Sequence, residues 1–237
     1  MIFVESNQKL NSVYEKLREE IQYLELTPGQ LVGEIETAER FNVSRTPVRS
    51  AFKQLESDGL VEIKSHIGTF VSLIDLEQIT DVLFMREILE IEVMKRLSYS
   101  ITEIQEFRLN YLLKQQEELF EKDLSEKALA REFFKLDNEL HQSMFEFAGR
   151  SQVYVLLKSL EKQYERFRMF LNLTDKETLH ELYLEHVEIV KCISSRNIEN
   201  LKPVFSNHIY GGIHRGLPKI YEHPEYFKSI DKIGGNS

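Results

Sequence analysis

The sequence predicts a mainly α-helical protein in which three helices and a β-hairpin precede an all-α antiparallel helical bundle. Three observations support this fold class. A capped amphipathic helix occupies about residues 44–58, two short segments of alternating polarity follow it, and residues 77–215 carry helical patterns with a single proline. The 237 residues are long enough for two domains, each with its own hydrophobic core.

The amino-terminal part of the chain is predicted to begin with two helices. A capping-box pattern starts at Ser12, and Thr27-Pro28-Gly29 ends the helix that follows it. The apolar residues of this first helix recur on one face: Val13, Leu17, Ile21 and Leu24. A short second helix covers residues 33–41, and Asn42 is suited to the left-handed turn that leads into the third helix.

The third helix has a marked beginning and end. Ser44 is suited to capping it, Pro47 lies in its first turn, and Gly59 supplies a left-handed residue after its last turn. Its apolar residues form one stripe with helical spacing: Val48, Ala51, Phe52 and Leu55.

The opposite face of the third helix carries side chains that suit a DNA major groove. Arg45 and Arg49 lie one turn apart, and a guanidinium can bind guanine O6 and N7 together. Thr46 and Lys53 are expected to contact phosphates. The alternative is an ordinary amphipathic surface helix, and the elements on either side favour DNA binding over it.

A hairpin is predicted after the third helix. Residues 60–64 and 69–72 alternate in polarity on either side of the turn at residues 65–68. Three helices followed by a hairpin form a winged helix-turn-helix, in which the third helix enters the major groove.

A set of motifs between residues 11 and 72 supports the same arrangement: Pro28-Gly29, Glu34, Ala38, residues 43–49, Ala51, Leu55, residues 59–61 and residues 68–71. Together they resemble the GntR family of bacterial transcription regulators. The resemblance implies that Arg45 and Arg49 contact bases and that the wing tip, His66 to Gly68, reaches the minor groove. The family usually has an arginine where this chain has Ile35, so we expect one DNA contact to be missing.

The composition limits the kind of DNA binding that is possible. The net charge is −9, and residues 1–75 alone hold eight Lys/Arg against twelve Asp/Glu. Recognition must therefore depend on the local placement of basic residues, because the overall charge disfavours non-specific binding. Cys192 is the only cysteine, which excludes a disulfide within the chain. Neither a signal peptide nor a membrane-spanning segment is evident, so we expect a cytoplasmic protein with no membrane partner.

The predicted domains are a winged helix-turn-helix at residues 1–72, a linker at 73–77, an all-α effector-binding and dimerisation domain at 78–217, and a tail at 218–237. Six helices are expected in the all-α part: about Glu77–Leu97, Thr102–Lys122, Glu126–Ala148, Gln152–Leu173, Lys176–Ser194 and Ile198–Tyr210. The sequence leaves open whether Tyr164, Arg166 and Arg168 border a cavity in this domain.

Four polar residues of the all-α part occupy positions where its helices should be apolar: Asp137, His141, His186 and His208. Burying such groups without partners costs about 1–3 kcal/mol each, and a shared divalent ion would offset this cost. The i, i+4 spacing of Asp137 and His141 puts both on one helix face, as a pair of ligands requires. The alternative is that each histidine is hydrogen-bonded separately in the core. That alternative is favoured for a single histidine, and the coincidence of four residues favours the metal.

The resemblance extends to this part of the chain. Helical effector domains of the FadR-like branch of the family carry an Asp-x-x-x-His motif and two later histidines as a metal site, and the four residues match these positions one for one. Arg86 and Glu90 also match that branch, which implies that Arg86 binds an effector carboxylate; an Arg86–Glu90 ion pair is an equal alternative. Arg150 stands where the branch usually has asparagine.

These observations predict a ligand-responsive transcription regulator that binds double-stranded operator DNA as a homodimer. The expected metal is zinc, with nickel or manganese as alternatives, and a small carboxylate metabolite would complete its coordination and bias the angle of the two DNA-binding heads. The rival is a metal-dependent hydrolase with a regulatory head. Against the rival, Glu139 is the nearest carboxylate in sequence and points away from the Asp137–His141 face. A structural metal, or a repressor that senses the metal itself, is a third possibility.

Overall fold

The computed structural model describes residues 2–172 and 176–228, with side chains from residue 12 onward and without that of Asn172. It confirms the mainly α-helical fold class, with a small sheet in the amino-terminal part. The elements in chain order are α1 (Ile2–Gln22), β1 (Leu31–Val32), α2 (Glu34–Arg40), α3 (Arg45–Ser57), β2 (Val61–Lys64), β3 (Gly68–Val71), α4 (Leu76–Ser100), α5 (Glu103–Leu119), α6 (Glu126–Phe147), α7 (Ser151–Leu160), α8 (Lys162–Asn172), α9 (Lys176–Ser194) and α10 (Ile198–Glu222).

The described chain forms two compact units. The head unit contains residues 2–78, 162–170 and 220–228, and the helical unit contains residues 79–161, 171–172 and 176–219. Each unit has contributions from distant parts of the sequence. Helix α8 and the last described residues therefore belong to the same unit as α1, α2, α3 and the sheet.

The head unit has the winged helix-turn-helix arrangement that the sequence predicts. Its sheet has the order β1-β3-β2, with β3 antiparallel to both neighbours. In the hairpin, Val61 pairs with Val71 and Lys64 pairs with Gly68. Strand β1 has only two residues, which is too short for an alternating pattern to reveal. The core of the unit is formed by fully buried apolar residues from α1 and α3: Leu17, Ile21, Val48, Ala51 and Leu55.

The turns around α3 have the predicted conformations. Asn42 has φ +50° and Gly59 has φ +71°, so both residues lie in the left-handed region. Ser44 precedes the first turn of α3 with an extended backbone, but its side chain makes no capping hydrogen bond. The predicted start of α1 at Ser12 is wrong, because the helix already begins at Ile2.

A buried arginine of α8 bonds to the winged-helix part of the head unit. Arg166 is fully buried, and its Nη1 donates to the backbone oxygen of Ser72 at 2.8 Å, just after β3. Its Nη2 donates to Oε1 of Gln163 at 2.6 Å, and Nε2 of Gln163 donates to the backbone oxygen of Gly59 at 2.6 Å. Burial lowers the pKa of Arg166 to about 9. The ends of α3 and of the wing are thus bonded to the same pair of side chains.

The carboxy-terminal segment of the head unit is also bonded to residues that lie far from it in the sequence. Ile74 and Phe227 form a parallel bridge, in which the Ile74 amide donates to the Tyr226 oxygen at 2.8 Å. The rings of Phe227 and Phe170 lie 5.3 Å apart in an edge-on arrangement. Segments expected from the sequence to be a linker and a tail therefore contribute bonded residues to this unit.

The helical unit contains most of the helices that the sequence predicts, with two differences. The helix expected at residues 152–173 is divided into α7 and α8, and the helix expected to end at Tyr210 continues to Glu222. The division falls at Glu161, whose buried carboxylate lies 2.9 Å from Lys158 and 3.3 Å from Arg86. These contacts are set by packing, and helix propensity alone does not reveal them.

Two helices of this unit begin with side-chain caps. Thr102 and Gln105 form a reciprocal capping box at the start of α5, and the Ser125 side chain accepts from the Ala128 amide at the start of α6. Helix α6 packs against α5, α7 and α9 and carries two of the four residues of the predicted metal site. Across the described residues, no helix combines the length and apolar character needed to cross a membrane.

We predict that Arg166→Met destabilises the head unit. The change leaves the Ser72 oxygen and the Gln163 amide without their buried donor, and each unsatisfied group costs about 1–3 kcal/mol. The loss should be about 2 kcal/mol or more, seen in calorimetry as a fall of roughly 4–8 °C in the melting temperature of the head. Arg168→Met is the matched control, because the Arg168 guanidinium lies over the Tyr164 ring at 5.5 Å and its side chain is only half-buried. Equal melting temperatures for the two variants would contradict the prediction.

Candidate metal centre and DNA-binding face

The exposed face of α3 carries the four residues that the sequence assigns to DNA: Arg45, Thr46, Arg49 and Lys53. Their exposure results from the apolar stripe on the opposite side of the helix, which faces α1 and fills the core. The face is therefore available for contact with another molecule, as the predicted role requires.

A carboxylate at the start of α2 orients the two arginines. The Nε of Arg49 donates to Glu34 Oε2 at 2.8 Å, and the Nε of Arg45 donates to the other carboxylate oxygen. The hydrogen bond from Arg49 is the main reason that the pKa of Glu34 is lowered. One carboxylate thus binds the Nε atoms of both guanidinium groups. Glu34 occurs in the family motif, but no local spacing in the sequence predicts this role.

The wing tip lies between β2 and β3. His66 is exposed and has φ +62°, and Gly68 has φ +150°. The positive φ of Gly68 favours glycine, and a Cβ atom there would also displace the exposed Leu31 side chain, whose Cδ1 would lie 2.6 Å away. Ile67, between them, is 70% exposed. Ile35, which stands where the family usually has arginine, is also exposed, at 59%.

The structure brings the four predicted metal ligands together. Asp137 and His141 lie on α6, His186 lies on α9 and His208 lies on α10. All four are buried, and each offers a ligand atom within 4.8 Å of the others. The His186 and His208 rings are 4.8 Å apart, and His186 Nε2 lies 3.2 Å from Asp137 Oδ1.

Each imidazole of the cluster uses its Nδ1 atom for a hydrogen bond to a different helix. His141 pairs with Glu90 of α4, His186 with Gln116 of α5 at 2.9 Å, and His208 with Glu185 of α9 at 2.9 Å. These acceptors oblige Nδ1 to carry the proton, so that Nε2 keeps its lone pair. This is the tautomer that a metal ion requires from all three rings.

The electrostatics of the cluster favour the same protonation states. Burial lowers the pKa of His208 to about 4, although its bond to Glu185 opposes the shift. Burial would raise the pKa of Glu90, but Arg86 and His141 outweigh it and lower the pKa to about 2. His208 is therefore neutral, as a ligand must be, and Glu90 is a charged acceptor for His141.

A divalent ion fits this set of donor atoms. Three imidazole nitrogens and one carboxylate oxygen are a common ligand combination for transition metals. The Nε2 of His141 is buried and has no hydrogen-bond partner within residues 2–172 and 176–228. Such an atom is costly in an apolar core, and a metal ion would satisfy it. Asp137, His141, His186 and His208 are the residues that would hold the ion.

Arg86 forms the ion pair that the sequence analysis left open. Its Nε lies 2.6 Å from Glu90 and 3.3 Å from Glu161, and its side chain is buried. Glu161 is a partner that the sequence did not predict. Two other residues lie outside the cluster. Glu139 is exposed, and its carboxylate lies 3.9 Å from the Arg108 guanidinium. Arg150 is exposed at the start of α7.

Sequence reasoning missed two of the acceptors that orient the histidines. Gln116 is fully buried in the stripe of α5 that otherwise holds Leu109, Leu112, Leu113 and Leu119, so a polar residue on an apolar stripe was the available signal. Glu185 had no such signal, because it lies between Leu184 and His186 on α9 and meets a histidine of the next helix.

A winged head and a helical unit with a buried histidine and aspartate cluster are the parts of a DNA-binding regulator. Comparison with known proteins agrees. Residues 9–71 match the family described as bacterial regulatory proteins, gntR family, and residues 81–211 match the FCD domain. The chain therefore belongs to the GntR family of transcription regulators and carries an FCD effector-binding domain.

Related proteins and structures support this assignment. The chain is 28% identical over 197 residues to the HTH-type transcriptional repressor RspR of Escherichia coli K12, covering 83% of this chain and 84% of that protein. It is 28% identical over 182 residues to the Nta operon transcriptional regulator of Aminobacter aminovorans, covering 77% and 82%. The structure of E. coli McbR/YncC shares the fold, with a TM-score of 0.66, 15% identity, and coverage of 91% of this chain and 98% of that one.

Proposed function

We propose that this regulator senses a small metabolite bearing a carboxylate through a divalent metal ion held by Asp137, His141, His186 and His208. The observation that carries the proposal is the geometry of the cluster: four buried ligand atoms lie within 4.8 Å of one another. Binding of the metabolite then changes the affinity of the head for operator DNA. The name of RspR supports repression as the mode of action.

Zinc is the proposed ion, with nickel or manganese as alternatives, because imidazole nitrogens dominate the set of ligands. When bound, the ion would act as a Lewis acid that attracts the carboxylate of the metabolite. Four protein ligands would close a tetrahedral site, whereas a sensor needs an open position. The proposed ion would therefore have more than four ligands, and the three Nδ1 acceptors would keep the imidazole rings in place around it.

Arg86 is the proposed second contact for the carboxylate bound at the metal. It is connected to the cluster through Glu90, which accepts from His141. Of its two carboxylate contacts, the one to Glu161 is the longer, at 3.3 Å. We propose that an effector carboxylate replaces Glu161 at this guanidinium while Glu90 stays in place.

The proposed DNA contacts follow the exposed face of α3 and the wing. Arg45 and Arg49 bind bases, and Thr46 and Lys53 bind phosphates. His66 and Gly68 carry the wing tip into the minor groove. The protein is proposed to act in the cytoplasm as a homodimer that pairs through its helical domain, because a two-fold dimer matches an inverted repeat in the operator.

We predict that Arg49→Ala abolishes the preference for operator over random DNA without unfolding the head. The change removes a bidentate base contact worth about 1–3 kcal/mol, and Arg45→Ala should behave similarly. The measurement is binding to a duplex enriched from a random pool by the wild-type protein, against a scrambled duplex of equal length. Arg18→Ala is the matched control, because Arg18 is a surface arginine of α1 paired with Glu15. Unchanged discrimination in both α3 variants would refute the assignment of this face.

We predict a dimer of twice the 28.0 kDa chain mass in sedimentation velocity at micromolar concentration. A single head offers too few contacts for specific affinity, whereas two heads read two half-sites. A monomer that persists both with and without operator DNA would contradict the prediction.

We predict that the wild-type protein, purified without chelator and offered zinc, nickel and manganese in turn, binds one ion per chain. His186→Ala should lower both the metal content and the melting temperature, because it removes one ligand from a fully buried position. It should also weaken the effect of effector on DNA binding while leaving the α3 face unchanged. The control is His180→Ala, which removes an exposed histidine six residues earlier on α9. A wild-type protein that never contains a stoichiometric ion would rule out the site.

A further inference from the structure

Helix α10 continues the face of the metal cluster beyond His208. Gly211 lies three residues after His208, and Arg215 lies four residues after Gly211, so the three residues share one side of the helix. The side chain of a helical residue leans back toward the amino terminus of the helix, which directs Arg215 toward His208. Nothing in the proposed function uses this arginine.

A single carboxylate connects the guanidinium of Arg215 with the cluster. One oxygen of Glu185 accepts from His208 Nδ1 at 2.9 Å, and the other accepts from Arg215 Nη1 at 2.9 Å. The imidazole and the guanidinium are thus separated by the width of one carboxylate group. This arrangement fixes the guanidinium beside the cluster by a charge-assisted hydrogen bond.

The position of the Arg215 guanidinium explains why residue 211 is a glycine. A Cβ atom on Gly211 would lie 3.0 Å from Arg215 Nη1, so glycine allows the guanidinium to lie against the helix. At the next residue, a Cβ atom on Gly212 would have no neighbour within 4 Å. Consecutive glycines weaken a helix interior, and packing accounts for only the first of them.

The guanidinium of Arg215 has a donor that the protein does not use. Its Nη2 is buried and has no hydrogen-bond partner in the described part of the chain. The nearest additional carboxylate, that of Glu181, lies 3.7 Å from Nε. A buried cationic N–H group without an acceptor is costly, so this position favours a ligand with an anionic oxygen. Arg86 differs, because two buried carboxylates already lie within 3.3 Å of its Nε.

We propose that Arg215 binds a second carboxylate of the effector, which makes the effector a short dicarboxylate with four or five carbons. The inference rests on the proposed function, in which the metal and Arg86 hold the first carboxylate. One oxygen of Glu185 bonds to His208 Nδ1 and the other to Arg215 Nη1, each at 2.9 Å, so the guanidinium lies on the far side of this carboxylate from the His208 ring. The two carboxylates of the effector must therefore be separated by a short carbon chain, as they are in a dicarboxylate with four or five carbons.

The test compares succinate with butyrate, which has the same carbon chain but only one carboxylate. Calorimetric titration of the zinc-loaded full-length protein should show that succinate binds about 10- to 100-fold more tightly than butyrate. Arg215→Gln should reduce succinate binding to the level of butyrate, with butyrate affinity and zinc content unchanged. Arg96→Gln is the matched control, because Arg96 is an exposed arginine of α4 paired with Glu92, and it should keep the full preference.

A second variant guards against loss of the metal. Arg215→Lys keeps a positive charge beside Glu185, but one ammonium group cannot bind Glu185 and the ligand with the geometry of a guanidinium. It should retain zinc and still lose most of the preference for succinate.

Zinc-loaded wild-type protein that binds succinate and butyrate equally would overturn the inference and leave the metal site intact. The same holds if both Arg215 variants keep the preference. A wild-type protein without stoichiometric metal would instead overturn the proposed function together with this inference, and metal analysis identifies that case.

Discussion

The helical unit depends on three hydrogen bonds that orient buried imidazoles. Histidine in an apolar core is tolerated when its ring nitrogens are satisfied, and here each Nδ1 atom has an acceptor from a different helix. Because α4, α5 and α9 supply these acceptors, the positions of the three imidazole rings depend on how these helices pack against one another. A ligand that moves one imidazole therefore acts on several helices at once, which is the property a sensory domain requires.

The head unit shows a different use of a buried polar group. Arg166 gains no carboxylate partner among its described hydrogen bonds, and it is held instead by a backbone oxygen and an amide. Burial without a counter-charge is reflected in its lowered pKa. Such a group is retained at a cost. It helps to fix the register of α8, because Arg166 must meet the Ser72 oxygen while Gln163 of the same helix meets the Gly59 oxygen.

The sequence predicts the histidine and aspartate cluster better than it predicts the residues that orient the cluster. Asp137 and His141 are one turn apart, and His186 and His208 interrupt apolar stripes, so local periodicity is enough to single them out. Their acceptors come from other helices, where only Gln116 interrupts a stripe in the same way. The division between α7 and α8 at Glu161 escaped prediction for a related reason: it depends on contacts with Arg86 and Lys158 that form only when the unit is packed.

A chain with a net charge of −9 can bind DNA only if its basic side chains lie on the surface that contacts the DNA. The head presents Arg45 and Arg49 on an exposed face, yet Glu34 neutralises part of their charge while it fixes their direction. Because Glu34 reduces the positive electrostatic field of the two arginines, they add little to non-specific binding of DNA. Non-specific binding depends on the number of phosphates that the protein neutralises. Contacts to base edges keep their full value, because they depend on direction and short distance. Ile35, which stands where the family usually has arginine, leaves this exposed surface with one positive charge fewer.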